Sequence, residues 1–550
     1  MNAPAPPAAA LAPRPTRAWW PFVLVAAVYA IAVAQNIGLP GVYMDAVNPD
    51  YLAVRLLHRH TEPIAAWLLP GNYLFGRAPV LISFYHGSQQ TWLGLPGFFL
   101  FGTTVTGLRI THALFGLGVL AALFAVLARA GLKPWQAAAA CAALAVDPSF
   151  TYAFRTQSYI TVAPMAWLLL SLWCVQRAGE HDAHSSRWLA AGGALYGLAV
   201  VGYFVYAFFL PALLLALRWW TPPTARGRGG WLAWCGGAAV GGAFYPVGYA
   251  LVAHQMGGIG GAWAYFQQTQ KALNAFSEQP ALAERLAHVA ATIASAFQNS
   301  FHHTLIFGEH GSVPGGGFKM ALLLGLPALA WLRAEWRRDA TPALRTFVAL
   351  AVSYVVVAML FGTRLSGHHY MVLVPVAYGA LATGLASLAA APRAWQGTAA
   401  TFALPLAALV ALNVGGQVKE ARRLAETGGA GLYSDAINRL AADLDAAPRR
   451  PFVYFPDWGL SMPVAFLTGG RVGMDSLENF AAGRQMLCAG RDVAVAIVTG
   501  DRGARISAWQ RGFGWDAPAS VVPYAQRDGR ELFALATFRG RPDGPGCAAG

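Results

Sequence analysis

The chain predicts a mainly α architecture: a polytopic transmembrane helical domain followed by a smaller soluble α/β domain. Three observations carry this. Of its 550 residues, 56% are hydrophobic and only 12% charged, which is about half the charged fraction of an average soluble protein. The apolar residues are gathered in long runs of the kind that cross a bilayer. From Gly431 onward the charge rises and short β-like runs replace the long apolar ones.

The elements follow in order. Residues 1–16, rich in Ala and Pro, are expected to form a disordered cytoplasmic tail. Residues 22–39 read as the first span. The run ends in Gln35-Asn36-Ile37-Gly38, a poor cleavage site, so it reads as a retained span rather than a signal peptide. Further spans fall at about 108–128, 135–148, 159–176, 188–202, 204–217, 230–252, 319–333, 346–362, 370–390 and 398–415, which makes about eleven.

The formal net charge of +14 could indicate nucleic acid. The placement of the cations argues otherwise. With the N-terminus inside, Arg14, Arg17, Arg129, Lys133, Arg177, Arg226 and Arg337 all fall in cytoplasmic connections. Short loops rich in Lys and Arg stay inside, so the basic balance is a topology signal. The reading is an inner-membrane protein with its N-terminus in the cytoplasm, residues 17–415 as the transmembrane domain and residues 416–550 as a periplasmic α/β domain.

An odd span count leaves three larger outer segments, at about 41–107, 254–318 and 416–550. In the first, Asn48 is a good N-cap, Pro49 suits the first helical position and Asp50 complements the positive helix end, predicting a helix to about His60. Trp92 to Phe101 is too short to span and reads as lying in the interface. In the third, Phe452–Phe455, Val493–Val498 and Glu531–Phe538 read as strands, alternating with helical stretches such as Leu432–Ala446. About 135 residues are enough for a core of their own.

Five cysteines are present. Cys141, Cys174 and Cys235 lie in spans and read as small buried apolar residues. Cys488 and Cys547 fall on the expected outer side, where an oxidising compartment permits a bridge. Such a bridge would add roughly 4 kcal/mol of chain-entropy stabilisation before strain, although Cys547 sits in a Gly/Pro-rich tail.

The richest stretch for chemistry is Asp45-Ala-Val-Asn-Pro-Asp50, just beyond the first span. A carboxylate there is wet enough to ionise and close enough to act on a lipid-anchored molecule. Asp45 is the catalytic candidate and Asp50 the secondary one. A solvated span end is the plain alternative for Asp45, and a helix-end charge is the simpler account of Asp50.

Scattered pieces in order resemble a known group. They are Tyr43-Met44-Asp45, then Tyr85-His86-Gly87, Leu100-Phe101-Gly102, Leu108-Arg109-Ile110, Pro148 to Arg155, and His369-Tyr370-Met371-Val372-Leu373-Val374-Pro375. Together they resemble the GT-C-fold integral-membrane glycosyltransferases, in the branch of protein O-mannosyltransferases and aminoarabinose transferases. The resemblance implies a polyprenyl-phosphate sugar donor. It covers roughly the first 390 residues. The chain departs from the group's pattern in three places: Ala46 rather than an acid follows Asp45, no acid follows Arg155 in Thr-Gln-Ser-Tyr-Ile, and no Lys lies near His369-Tyr370.

The chemistry can be stated independently. A polyprenyl tail holds its head group at the interface, since each buried CH₂ is worth about 0.8 kcal/mol. Transfer needs the acceptor hydroxyl deprotonated, which a carboxylate does. It also needs the departing phosphate stabilised, which Arg does through paired charge-assisted hydrogen bonds. One such displacement inverts the anomeric centre.

Arg109, Arg155, Lys271 and Arg364 are the phosphate candidates, with snorkelling to lipid headgroups the plain account of Arg109 and Arg155. Tyr85, His86, Tyr203, Tyr206, His369 and Tyr370 are the candidate sugar or acceptor contacts. His58, His60, His302, His303 and His368 also map outside. Adjacent and alternate histidines point apart and no HExxH or CxxC spacing exists, so a histidine metal site is not expected. No cofactor is expected, and a magnesium or manganese ion held by carboxylates stays open. The expected function is an inverting glycosyltransferase acting on a glycolipid, polysaccharide or protein acceptor at the outer face. The competing class is a transporter or flippase of a lipid-linked or small solute, whose ionisable groups would lie nearer the span centres.

Overall fold

The computed structural model describes residues 19–58, 61–65, 73–157, 162–180, 184–272, 280–309, 315–389, 398–498 and 500–547. The chain is mainly helical and multi-pass. Each apolar run of the sequence falls on a helix or on a bent pair of helices. Five helices are long and apolar enough to cross a membrane: Val105–Arg129, Gly316–Trp336, Pro342–Arg364, Gly367–Ala389 and Ala400–Thr427. Counting each bent pair as one span raises this to seven.

By length and composition the described residues give fewer than the expected eleven, because the runs at 22–39, 159–176 and 204–217 fall on the shorter helices Trp20–Ala34, Ala163–Ala178 and Phe204–Trp220. Asp147-Pro148 ends one helix and starts another, bending the pair Pro134–Ala145 and Pro148–Thr156 by 68°. Pro has no N–H to give and is preset for a first helical turn, and the Asp147 side chain accepts from the Ser149 N–H at 2.8 Å. A second pair, Arg228–Gly241 and Phe244–Gln255, bends by 44°.

Small residues set the closest helix contact. Gly193 and Gly197 on Ser185–Gly202 meet Trp234 and Ala238 on Arg228–Gly241 so tightly that a Cβ on either glycine would collide with the facing backbone. Cys141 and Cys174 are buried as expected, but Cys235, on Arg228–Gly241, is exposed. The helix Gln89–Phe101 exposes Trp92, Phe99 and Leu100, as a segment lying in the interface would.

The helix Thr398–Thr427 runs straight through the boundary expected at residue 415. Gly415-Gly416 is not a stop: a Cβ on Gly416 would come 3.1 Å from Pro148 Cγ, so the glycine serves close packing. Beyond it, six strands form one mixed sheet. Its order is Ile64–Ala65, Met474–Asp475, Phe452–Tyr454, Val493–Val498, Glu531–Phe538, Ser520–Ala525. The first four are parallel and the last two antiparallel. Val493–Val498 is apolar throughout and sits at the centre, as a strand covered on both faces must.

The first strand of that sheet comes from the first outer segment, not from the C-terminal part. The two share one core, in which Val42, Val47, Leu52 and Val54 pack with Ile437, Val453, Phe466 and Leu535. The opposite face holds Tyr454, Ile497, Trp509, Phe513 and Phe538. There Cys488 and Cys547 are bonded, with Cα atoms 5.5 Å apart.

Candidate active site

Asp45 sits on a one-turn helix, Met44–Val47, directly after the chain leaves the helix Trp20–Ala34. Two arginines fix the link between them. Arg155 Nη2 donates to the carbonyls of Val33 and Gln35 at 2.8 Å each, and Nη1 to those of Asn36 and Leu39 at 3.4 and 3.3 Å. Arg109 Nη1 donates to the Ile37 carbonyl at 3.0 Å, and Nη2 to the carbonyls of Pro40 and Gly41. Both side chains are 1–2% exposed.

Both guanidinium groups are thus engaged by backbone carbonyls inside the protein and do not reach outward as snorkelling side chains would. They satisfy carbonyls released at a helix C-terminus, where a cation is also favoured by the helix dipole. Gly41 completes the placement. Its N–H donates to the Tyr433 carbonyl at 2.8 Å, and a Cβ there would strike the Ser434 backbone.

The Asp45 carboxylate is half-buried and accepts one hydrogen bond, from Gln157 Nε2 at 3.1 Å. Burial pushes its pKa up to about 6, against the pull of the Gln157 donor. Tyr43 and Tyr433 pack tilted against each other, with centroids 5.5 Å apart, and the Asp45 charge acts on both phenols. The phenol of Tyr85 is raised by burial and further by the Asp45 charge, despite a hydrogen bond from the Ser83 side chain. Asp45 and Tyr85 therefore share one electrostatic neighbourhood.

Four of the expected sugar contacts form a wall there. Tyr85 meets Tyr203 edge to face at 5.9 Å, and His86 meets Tyr203 at 5.6 Å. The Tyr203 hydroxyl lies 3.2 Å from His369 Nε2. Tyr85 is 36% exposed and presents the open face, while His86 and Tyr203 are buried behind it. Burial lowers the His86 pKa to about 3, so its ring is neutral.

The other expectations fall elsewhere. Tyr206 and Tyr370 are fully buried core residues, packed on Phe209 and Tyr354 respectively. Lys271 is exposed at the end of Ile259–Ala272, and Arg364 is exposed on the short turn Met359–Arg364.

Asp50 is corrected outright. It is not a solvated charge at the start of a long helix. Residues 50–52 form a single 3₁₀ turn, followed by the short helix Ala53–Leu57. Asp50 is 0% exposed, with Oδ2 2.7 Å from His112 Nε2 and 2.8 Å from Gln90 Nε2. Asn48 ends the preceding helix instead of starting the next. An apolar surround on both sides, with Val47 and Tyr51 in the core, drew this turn inward.

The sequence reading missed Gln157, whose signal was its place in the outer turn after Arg155. It also passed over Asp147, which pairs with Lys319 at 2.5 Å and accepts from the Tyr378 hydroxyl at 2.8 Å. His58 is exposed, and His60 lies outside the described residues. His302 and His303 are buried, the latter 2.8 Å from Glu420. Among the described residues no three His, Cys, Asp or Glu side chains converge as a ligand set.

Comparison with solved structures places the fold. The computed structure overlays ArnT from Cupriavidus metallidurans bound to undecaprenyl phosphate with a TM-score of 0.54, at 15% identity, covering 94% of this chain and 98% of that one. The apo form of the same protein gives 0.52 at 16% identity, covering 94% and 97%. The chain shares the fold of ArnT.

The resemblance read from the sequence thus stands at the level of fold, over nearly the whole length. Residues 90–245 match the family model described as dolichyl-phosphate-mannose-protein mannosyltransferase. The mycobacterial arabinofuranosyltransferase AftD aligns at 16% identity with a TM-score of 0.42, and the chain spans 40% of its length. No curated protein matches the sequence.

Proposed function

We propose that the chain is an inverting glycosyltransferase that takes a sugar from a polyprenyl phosphate at the outer membrane surface. The observation that carries this is Asp45. It is a half-buried carboxyl with its pKa raised to about 6, just past the first apolar helix, whose charge acts on the phenol of Tyr85. Such a group is a base near neutral pH and a poor surface ornament. ArnT, whose fold the chain shares, has been solved with undecaprenyl phosphate bound, which supports a polyprenyl-linked donor.

In this reading Asp45 takes the proton of the acceptor hydroxyl. The hydroxyl oxygen then forms a bond to C1 of the donor sugar as the bond from C1 to the phosphate oxygen breaks. Polyprenyl phosphate leaves with the electron pair, and the configuration at C1 inverts. Tyr85 supplies a face for the sugar ring. With Arg109 and Arg155 holding backbone carbonyls, Lys271 and Arg364 remain the phosphate candidates of the sequence reading, and both are exposed. The C-terminal sheet faces the periplasm and meets the acceptor.

The test is purified protein incubated with a labelled polyprenyl-phosphate sugar and a cell-envelope extract. Transfer of label with release of polyprenyl phosphate is expected. Intact donor, combined with movement of label across proteoliposomes, would overturn the reading in favour of a transporter.

A further inference from the structure

Three consecutive residues at the end of the one-turn helix Ala153–Thr156 each reach a different part of the fold. Arg155 holds carbonyls of the loop before Asp45. Gln157 carries the donor on the Asp45 carboxylate. Between them, Thr156 Oγ1 lies 2.9 Å from His302 Nδ1. A single turn has too few internal hydrogen bonds to hold its own position, so its outside partners set where Gln157 stands.

His302 comes from the helix Ser300–Phe307, distant in sequence. Adjacent side chains on a helix point apart, and this helix uses that. His303 Nδ1 is 2.8 Å from Glu420 on the helix Thr398–Thr427, while His302 turns to Thr156. The direction of the His302 bond follows from its surroundings. Thr156 Oγ1 is also 3.1 Å from the Tyr152 carbonyl and 3.4 Å from the Ala153 carbonyl, which can only accept. The one hydroxyl proton serves them, so the oxygen accepts from His302 Nδ1–H. Burial, with the Lys319 charge adding to it, lowers the His302 pKa to about 3, so the ring is neutral and Nε2 keeps a lone pair. That Nε2 is buried and has no partner among the described residues. An imidazole with one nitrogen unpaired in the interior is costlier than an apolar ring of similar size. What it supplies against that cost is the Nδ1 donor.

We propose that His302 is a positioning residue for Asp45: its Nδ1–H fixes Thr156, and Thr156 fixes the neighbouring Gln157 donor on the carboxylate. The Tyr433 hydroxyl adds to the grip by donating to the Thr156 carbonyl at 3.3 Å. The other groups that feel the Asp45 charge are the phenols of Tyr43, Tyr85, Tyr203 and Tyr433. All are neutral near pH 6, so the placement of Gln157 is what tunes the carboxylate. The inference rests on the reading of Asp45 as the base, but it concerns the proton affinity of that group and is measured without turnover.

The test is an infrared titration of the purified full-length protein in detergent, following the protonated carboxyl band that Asp45→Asn abolishes. The wild-type midpoint is expected at about 6. His302→Phe keeps a ring and loses the donor, and Thr156→Val loses the acceptor. Each should raise the midpoint by about half a pH unit or more, since a loosened donor favours the carboxylate less. His302→Asn, whose amide N–H can stand in for Nδ1–H, should return it toward wild type. In the Gln157→Ala background, His302→Phe should add nothing. A role in packing alone would lower the melting temperature of these variants and leave the midpoint in place. An unchanged midpoint in both His302→Phe and Thr156→Val, or an equal rise from His302→Phe with Gln157 already removed, overturns the proposal. The expected midpoints in a protein that transfers no sugar would overturn the transferase reading and not the positioning.

Discussion

Gln157 Nε2 lies 3.1 Å from Asp45 Oδ2 and is the donor that opposes the burial of that carboxylate. It joins the turn after the bent pair Pro134–Ala145 and Pro148–Thr156 to the loop after Trp20–Ala34, so two sequence-distant segments set one pKa.

The pH dependence follows with a definite sign. Burial holds the Asp45 proton up to about pH 6. Its basic form therefore accumulates as pH rises, and kcat/KM should climb through about 6 to a plateau. Gln157→Ala removes the donor that favours the carboxylate, so the climb should move to higher pH. A pH–rate profile checks both. The linked effect on stability runs the other way: the extra stability of the protonated form is complete below about 4 and is lost as pH passes 6.

Arg155 and Arg109 should behave as clamps. Arg155→Ala strands carbonyls of residues 33–39 and should cost about 2–4 kcal/mol, read as a lowered melting temperature. Arg155→Lys should recover part of it, because Lys keeps the charge but reaches fewer carbonyls. Wild-type melting with lost donor binding would restore the phosphate role to these residues.

Why the sequence misread them is physical. An arginine near the predicted end of a span looks the same whether it reaches for lipid or for a neighbouring helix, and only the tertiary path of residues 33–41 decides. The apolar runs located the long apolar helices, because membrane burial writes itself into long runs, but not the helices Ile259–Ala272 and Leu282–Phe297 of the outer segment. They gave the segments at 135–148 and 230–252 as single unbroken spans, since Asp147-Pro148 and Gly241-Gly242 break the helix without interrupting the apolar character. The three strands read from Phe452, Val493 and Glu531 are present. Ile64–Ala65 and Met474–Asp475 are two residues each and leave no period to read. Asp45, Tyr85, His86, Tyr203 and His369 were legible as candidates, whereas Gln157 required the fold.

Asp50 should matter to folding rather than to turnover. Asp50→Ala leaves His112 and Gln90 facing an empty buried site, a loss of about 3–5 kcal/mol. Folded protein recovered from the milder Asp50→Asn should turn over at a rate within a few-fold of wild type. Thermal melting and turnover measured on the same preparation separate the two effects.

The Cys488–Cys547 bond closes a loop of sequence separation 59 over the Trp509 face of the sheet. Non-reducing peptide mapping of oxidised protein should find the two linked. Reduction, or Cys547→Ser, should lower the stability of the C-terminal part by up to about 4 kcal/mol. Free thiols at both positions would reject the bond.

The central claim rests on Asp45, and Asp45→Asn tests it most directly. The change keeps shape and removes the base, so melting temperature and binding of the polyprenyl-phosphate sugar should be retained. Transfer by the purified variant should fall by about 10²-fold or more, and the pH dependence near 6 should vanish with it. Near-wild-type transfer from Asp45→Asn, with the climb through pH 6 intact, would contradict the account.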